Sequence, residues 1–397
     1  MIPCHRPYFE ASDLLALLRP GPAIRAFESR IADLVGARFG LLFSDGRVAF
    51  RAALQSIGIV DSEVILPACI CPSMANAVIA SGNQPVFADI HPEDFCMNPD
   101  SLKDALSCNT RVVVPTHMLG YRADVQSIKS RIGDQGIILM EDFAQYLLPK
   151  EGMVHKLLAD FGIMSFSRGK PINTISGGML VTNSAELFEK ALAFREKHVH
   201  PPSVRISGKK LTWMLGSYLL QNRLLYGSWQ KLSRSAPKAT KTLSSHSTDL
   251  RSTGFPPIPA EFQSRLGLNQ LSKLRKMSEM RAGWALRLGE SLKGLPGLRP
   301  ALMLDGASYV RYPILVANRD NIGFCEAMRR NGVMVGSTWN YCLPFLPAFQ
   351  KFSNGGDCPG TEKVYREAVE LPAFPGLTDV EKSQIISAVK LSIGCKD

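Results

Sequence analysis

Three short stretches of the chain join a strand-like apolar run to residues able to do chemistry. GIILM (136–140) ends in Glu141-Asp142. GLLF (40–43) runs through Ser44-Asp45-Gly46-Arg47 into the helix-spaced VAFRAALQSI. FGIMSF (161–166) leads through Ser165 and Arg168-Gly169 to Lys170. Ligands of open parallel sheets lie beyond the carboxyl ends of the strands, so an acid at 141–142 would face a site. Taken alone, such an acid is more often a helix cap or loop acceptor. A strand–turn–helix with Gly46 at the turn offers free N–H groups and a positive helix end to a phosphate. Arg47 adds a forked donor, although Ser44-Asp45 also has the form of an ordinary N-cap. Lys170, between Gly169 and Pro171, sits in an irregular turn, where it is either a surface lysine or an amine nucleophile. Together they form a pattern: a phosphate cradle, an acid and an amine, each at the end of a different strand. Pyridoxal 5'-phosphate needs those three groups, because its phosphate needs donors, its pyridine nitrogen a carboxylate and its aldehyde a lysine.

These positions presuppose a sheet. Seven apolar runs, GLLF (40–43), EVILP (63–67), PVFAD (85–89), RVVVP (111–115), GIILMED (136–142), FGIMSF (161–166) and GGMLVT (177–182), are separated in several places by segments of helical spacing. Strands alternating with helices predict an α/β domain with a mostly parallel sheet, and uninterrupted apolar strands predict helices on both faces. Residues 1–200 are therefore expected to form a large α/β domain. Residues 201–255 break the pattern with a basic and apolar insertion holding a helix over 211–232, in which Trp213, Tyr218, Tyr226 and Trp229 lie beside Lys and Arg. Residues 256–397 are expected to hold a long amphipathic helix (262–292) and a smaller α+β domain, with a strand at 309–316 and helices at 324–332 and 379–392.

The 397 residues carry 46 Lys+Arg against 35 Asp+Glu, a net charge of +11, and enough apolar side chains to bury a core unaided. The excess is concentrated in 200–250, and no zinc-finger, RRM or helix-turn-helix pattern accompanies it, so nucleic acid is not the expected partner. Acidic small molecules or an anionic surface fit better. Nine cysteines at irregular spacing do not read as a disulfide framework or a zinc site. The opening MIPCHRPYFE has no cationic-then-apolar signal, and no apolar run is long enough to span a bilayer, so a cytoplasmic protein is expected. The 211–232 helix leaves two alternatives open, a peripheral membrane contact or packing in a dimer or against the domains.

The chain resembles the DegT/DnrJ/StrS family of fold-type-I pyridoxal phosphate enzymes, the sugar aminotransferases, over roughly 20–195 and 255–392. The motifs that carry the likeness are SDGRVAFRAAL, LPACICPSMANAVIASGNQPVFADI (66–90), His117-Met118-Leu119-Gly120, Glu141-Asp142-Phe143-Ala144-Gln145, and Ser165-Phe166 with Lys170 and Gly177-Gly178. LGLNQLSKL (266–274), NRD (318–320) and LPAFPGLTDVE (371–381) resemble its closing region. The resemblance implies a large, mostly parallel seven-stranded-type sheet domain, a smaller C-terminal α+β domain, and a homodimer with active sites near the interface. It implies Lys170 as the Schiff-base lysine and proton carrier, Asp142 at the pyridine nitrogen, Gln145 near the ring oxygen and Ala144 on a ring face. Gly46, Arg47 and Ser165 would hold the phosphate. Cys71 falls where the family places a ring-stacking aromatic, Pro256 near its cross-subunit asparagine, and 343–349 lacks its histidine. Acceptor recognition is therefore expected to differ. His117, alone after a strand, is either a further substrate contact or, as such histidines more often are, a structural residue. The implied reaction moves an amino group from an amino acid such as glutamate to a keto-sugar, in polysaccharide or secondary-metabolite synthesis. A lyase or condensing enzyme, or a non-catalytic membrane-docked or regulatory relative, is the alternative. The family's sugar dehydratases carry histidine in place of the lysine, which Lys170 argues against.

Overall fold

The computed structural model describes residues 1–147, 156–219, 254–304, 306–317, 321–352 and 357–394. Seven strands form the large sheet: β1 (Phe39–Phe43), β2 (Glu63–Pro67), β3 (Gln84–Ala88), β4 (Thr110–Val113), β5 (Ile138–Asp142), β6 (Phe161–Ser165) and β7 (Gly178–Thr182). All seven apolar runs became strands. The order is β1-β7-β6-β5-β4-β2-β3. Only β7 runs against its neighbours, pairing antiparallel with β1 and β6, and the other pairs are parallel.

The helices in chain order are α1 (Ala11–Leu17), α2 (Ile24–Leu34), α3 (Gly46–Ser56), α4 (Pro72–Ala80), α5 (Leu102–Ala105), α6 (Val125–Ile132), α7 (Ala185–His198), α8 (Val204–Leu219), α9 (Glu261–Ser272), α10 (Leu274–Leu292), α11 (Asn321–Arg330), α12 (Pro359–Glu367) and α13 (Asp379–Ser392). Their starts follow local capping chemistry. Asp124 Oδ1 accepts from Ser127 N at 3.0 Å and Ser184 Oγ from Leu187 N at 3.3 Å. Thr378 and Glu381 close a reciprocal capping box on α13.

Successive strand residues point to opposite faces, which divides the core. Val64, Leu66, Val112, Ile163 and Leu180 pack under α3 and α4 with Val48, Phe50, Leu54 and Val78. Ile65, Val113 and Leu139 face the other way, toward α6 and α10, and continue into a second, three-stranded antiparallel sheet. That sheet is built from β8 (Leu298–Pro300), β9 (Tyr312–Val316) and β10 (Ala368–Leu371), in the order β10-β9-β8. The small sheet and the large one therefore share a core.

Two elements differ from expectation. The helix over 262–292 is broken at Lys273 into α9 and α10. Ser272 Oγ donates back to Asn269 O, competing with the helical ladder, and the Lys273 ammonium is drawn to fully buried Asp13. The strand over 309–316 starts only at Tyr312, because Ser308 N and Arg311 N donate to Gly120 O and Leu119 O instead. Gly120 permits that contact: at φ +102, a Cβ there would stand 2.6 Å from Tyr309 N.

The helix expected over 211–232 begins earlier, at Val204, and is described as far as Leu219, while 220–232 and the NRD stretch (318–320) lie outside the described residues. Met214 is buried against Phe9 and Leu266. Among the described residues no helix is long and apolar enough to cross a membrane, no cluster of metal ligands gathers, and the cysteines are free thiols.

Candidate functional site

A cavity of about 280 Å³ opens at the carboxyl ends of β5 and β6, against the first turn of α3. Eight of the residues singled out in the sequence line it: Gly46, Arg47, Cys71, Asp142, Ala144, Gln145, Ser165 and Lys170. They come from four separate segments, which the sheet order brings side by side.

Asp142 is fixed from both sides. Its N–H donates to Pro115 O at 2.9 Å and its carbonyl accepts from His117 N at 3.0 Å, locking the end of β5 to the chain leaving β4. The side chain is buried; Oδ1 accepts from Ala144 N at 2.8 Å, and Oδ2 has no donor among the described residues. Burial pushes this carboxyl above its ordinary range, while the Ala144 N–H and the charge of Lys170 pull it back. A cationic group against the free oxygen would favour the ionised form.

Glu141 points to the opposite face and carries a different load. Both it and His117 are fully buried, with Oε1 and Nε2 3.0 Å apart, and Glu141 Oε2 accepts from Leu158 N. His117 Nδ1 accepts from Ala123 N at 2.9 Å, so the ring proton sits on Nε2 and is given to Glu141. Phe143 and Tyr146 pack on the imidazole. His117 therefore does not line the cavity, and the expected substrate contact is corrected to a structural one: the partner that occupies its ring lies 24 residues away. His117→Ala is expected to strand a buried carboxylate and lower the unfolding free energy by about 3 kcal/mol, measured by chemical denaturation.

Lys170 lies in the loop between β6 and β7, which is folded on itself by Phe166 N to Gly177 O (2.8 Å) and Thr174 N to Phe166 O (2.9 Å). Gly169, at φ +76, lets the loop turn beneath the guanidinium of Arg311. Among the described residues no acceptor holds the Lys170 amine. Desolvation lowers its pKa, opposed by Cys71 and Asp142 and assisted by Arg311, which makes the neutral, nucleophilic amine more accessible near neutral pH.

The phosphate-type turn is a tight crossing of chains. Asp45 Oδ1 caps α3 by accepting from Val48 N at 3.2 Å, which leaves other first-turn N–H groups without helical acceptors. Arg47 Nε lies 3.3 Å from the same oxygen, so its guanidinium is held at the turn instead of pointing away. Ser165 and Ser167 hydroxyls are 3.1 Å apart on the facing strand end, and Lys210 of α8 reaches the Ser176 hydroxyl behind it. A Cβ on Gly178 would come within 2.1 Å of the Asp45 carbonyl carbon, and one on Gly46 within 2.9 Å of Met164 O. Gly178→Ala is thus expected to push the turn off β7, at a cost of about 3 kcal/mol in stability and with loss of anion binding at α3, read by thermal unfolding with and without phosphate.

The donor set fits pyridoxal phosphate: a glycine-lined helix end for an anion, an unpartnered buried carboxylate oxygen for a ring N–H, and an unpartnered amine. The remaining wall is Ile70, Met74, Ile163, Ala144 and the Cys71 thiol, with no aromatic among the described lining residues. Any ring is therefore held by aliphatic and sulfur contacts.

Thr116, Ser73 and Ser167 also line the cavity and escaped the sequence reading. Thr116 directly follows the RVVVP run, the one signal that could have found it. Behind Lys170 stand Arg311, immediately before β9, and Glu370 of β10, 3.5 Å apart, with Glu370 3% exposed. An acid inside the buried strand AVEL was the overlooked sign.

Comparisons with known proteins show the family to which the chain is similar. The model of the DegT/DnrJ/EryC1/StrS aminotransferase family matches residues 10–217 and 234–390. Spore coat polysaccharide biosynthesis protein SpsC of Bacillus subtilis (strain 168) is 26% identical, over 94% of this chain and 90% of that protein. GDP-perosamine synthase of Vibrio cholerae is 22% identical, over 94% and 92%. The crystal structure of NtdA from Bacillus subtilis with bound cofactor PMP superposes with a TM-score of 0.73 at 20% identity, covering 97% of this chain and 83% of that one. With the family match spanning nearly the whole chain and the fold shared, this protein belongs to the DegT/DnrJ/EryC1/StrS aminotransferase family.

Proposed function

We propose that this protein is a pyridoxal phosphate-dependent aminotransferase that moves an amino group from glutamate to a keto-sugar, nucleotide-linked, in the synthesis of a surface polysaccharide or secondary metabolite. One observation carries the reading: an unpartnered amine at Lys170 and an unpartnered carboxylate oxygen on Asp142 line the same cavity, beside the open first turn of α3. The relatives support the substrate class, since one is named for polysaccharide biosynthesis and another for synthesis of an amino sugar on GDP. The NtdA structure with bound PMP supports the cofactor.

The residues divide the work. Gly46, Arg47 and Ser165 bind the phosphate, and Asp142 holds a positive charge at the ring nitrogen. Ala144 and Cys71 bound the ring, and Gln145, which otherwise gives its Nε2 hydrogen to Met118 Sδ, serves the ring oxygen. When bound, the cofactor supplies an electron sink that acidifies the Cα–H of an amino acid. The Lys170 amine, at the wall of the cavity, would be the base that takes and gives back that proton. Its lowered pKa suits a base working near neutrality. Homodimerisation belongs to the same reading: α8 leaves Val204, Leu215 and Leu219 exposed, an apolar surface suited to a second copy.

The test uses cofactor-loaded protein. Glutamate should abolish the visible absorption of the bound cofactor and release one equivalent of 2-oxoglutarate per site, and a keto-sugar nucleotide should restore the absorption. Loss of absorption without 2-oxoglutarate would move the protein to lyase or condensing chemistry. Failure to take up cofactor would leave a non-catalytic role.

A further inference from the structure

A second, smaller cavity of about 30 Å³ lies between the loop at 169–173, α10, the N-terminal arm and Arg311. A site for one water occupies roughly 10–15 Å³ on this scale, so the space takes two waters or one small ion. Its wall is one-sided in charge. Arg6, Lys170, Arg281 and Arg311 line it, and among the described residues no Asp or Glu does. Two of these cations are met from outside the cavity, Arg6 by Glu381 and Arg311 by Glu370. No carboxylate meets Arg281 among the described residues. Burial and the nearby Arg311 bring its pKa down to about 10, which still leaves it charged at neutral pH. Burial also pushes the Cys4 thiol up to about 11, so no thiolate supplies the missing negative charge.

Two buried side chains of this wall also keep unspent hydrogens. Arg281 is 4% exposed; its Nη2 donates to Pro171 O, and its Nη1 has no acceptor among the described residues. Asn173 is 5% exposed; its Oδ1 accepts from Ile175 N, and its Nδ2 likewise has no acceptor among them. A buried charge without a counter-ion and a buried N–H without an acceptor are both costly. Water answers the hydrogens but not the charge, whereas an anion answers both. A tetrahedral oxyanion would bring four oxygens to two free N–H groups and leave lone pairs buried without donors. A monatomic anion makes no such demand.

We propose that this cavity is a halide site, taking one chloride ion between the Arg281 guanidinium and the Asn173 amide. Arg281 belongs to α10 and Asn173 to the loop between β6 and β7 that carries Lys170. Arg281 already holds that loop at Pro171 O, and the ion adds a second tie at Asn173. The remaining main-chain ties of the loop, Phe166 N to Gly177 O and Thr174 N to Phe166 O, lie at its base. Chloride therefore acts on the position of the loop and needs no contact with the Lys170 amine. The site is also independent of the reaction proposed above.

The experiment follows thermal unfolding of the full chain at constant ionic strength while gluconate is replaced by chloride or bromide, which removes general screening from the comparison. The midpoint of wild type should rise saturably by about 2 °C. Hydrogen exchange of the amides in the Lys170 loop should slow over the same halide range. Arg281→Gln and Asn173→Asp should both lose these responses, their halide affinity falling by roughly 10-fold or more. The first removes the charge. The second keeps an oxygen to accept from Ile175 N but replaces the free N–H group with a carboxylate that repels the ion. Crystals of wild type grown in bromide should show its anomalous signal between Arg281 and Asn173. A midpoint that rises equally in wild type and both variants, or bromide crystals without that signal, would overturn the assignment and give the space to water. If Arg281→Gln does not fold, Asn173→Asp makes the same decision.

Discussion

Lys170→Ala should lower transamination by a factor on the order of 10⁴ or more, while the protein stays folded and keeps some affinity for pyridoxal phosphate. The size follows from the two tasks that fall on one amine, covalent attachment of the cofactor and proton transfer during turnover; proton transfer alone is commonly worth 10²–10⁴, and removal of a group acting as both nucleophile and proton carrier costs more. Folding should survive because the amine has no hydrogen-bond partner to lose, while the loop is held by main-chain bonds at Phe166, Thr174 and Gly177. The remaining affinity comes from the α3 turn and Asp142. Variant and wild type are compared by steady-state assay and by the visible spectrum after cofactor addition, where the variant should show only the spectrum of free aldehyde. An additional methylamine arm should restore part of the activity, since it returns an amine to the space the side chain vacated.

Asp142→Asn should retain the cofactor and lose roughly 10²- to 10⁴-fold in activity, the loss falling on turnover more than on donor affinity. An amide of the same shape keeps the Oδ1 bond from Ala144 N but cannot stabilise a protonated ring nitrogen, so the electron sink fails without the site falling apart. A pH experiment separates this from simple misfolding. The charge of Asp142 raises the Lys170 pKa, while desolvation and Arg311 lower it. Capture of the cofactor needs the neutral amine, so in wild type its rate should rise with pH through a midpoint below the free-lysine value. In Asp142→Asn the midpoint should move lower still. A midpoint unmoved by the substitution would mean that the two side chains do not interact.

How much of this was legible in the sequence follows from where each partner sits along the chain. The seven strands could be read because a strand covered on both faces is apolar throughout, and that property is local. Asp142 and Lys170 could be found because each stands at the end of such a run. The break between α9 and α10 could not, since it depends on Asp13, 260 residues from Lys273. His117 stayed open between ligand and structural residue for the same reason: only the fold supplies Glu141 and the Ala123 amide to occupy both ring nitrogens. Arg281 reaches the lysine loop across 110 residues, and in sequence it is one more cation on a long basic helix. Glu370 gave a usable sign, an acid within a buried strand, although nothing local joins it to Arg311.

The most direct measurement is to reduce cofactor-loaded protein with borohydride and locate the label by peptide mass spectrometry. One pyridoxyl group per chain is expected, on Lys170, and none in Lys170→Ala. A label on another lysine, or an unlabelled chain that has nevertheless bound the cofactor, would contradict it.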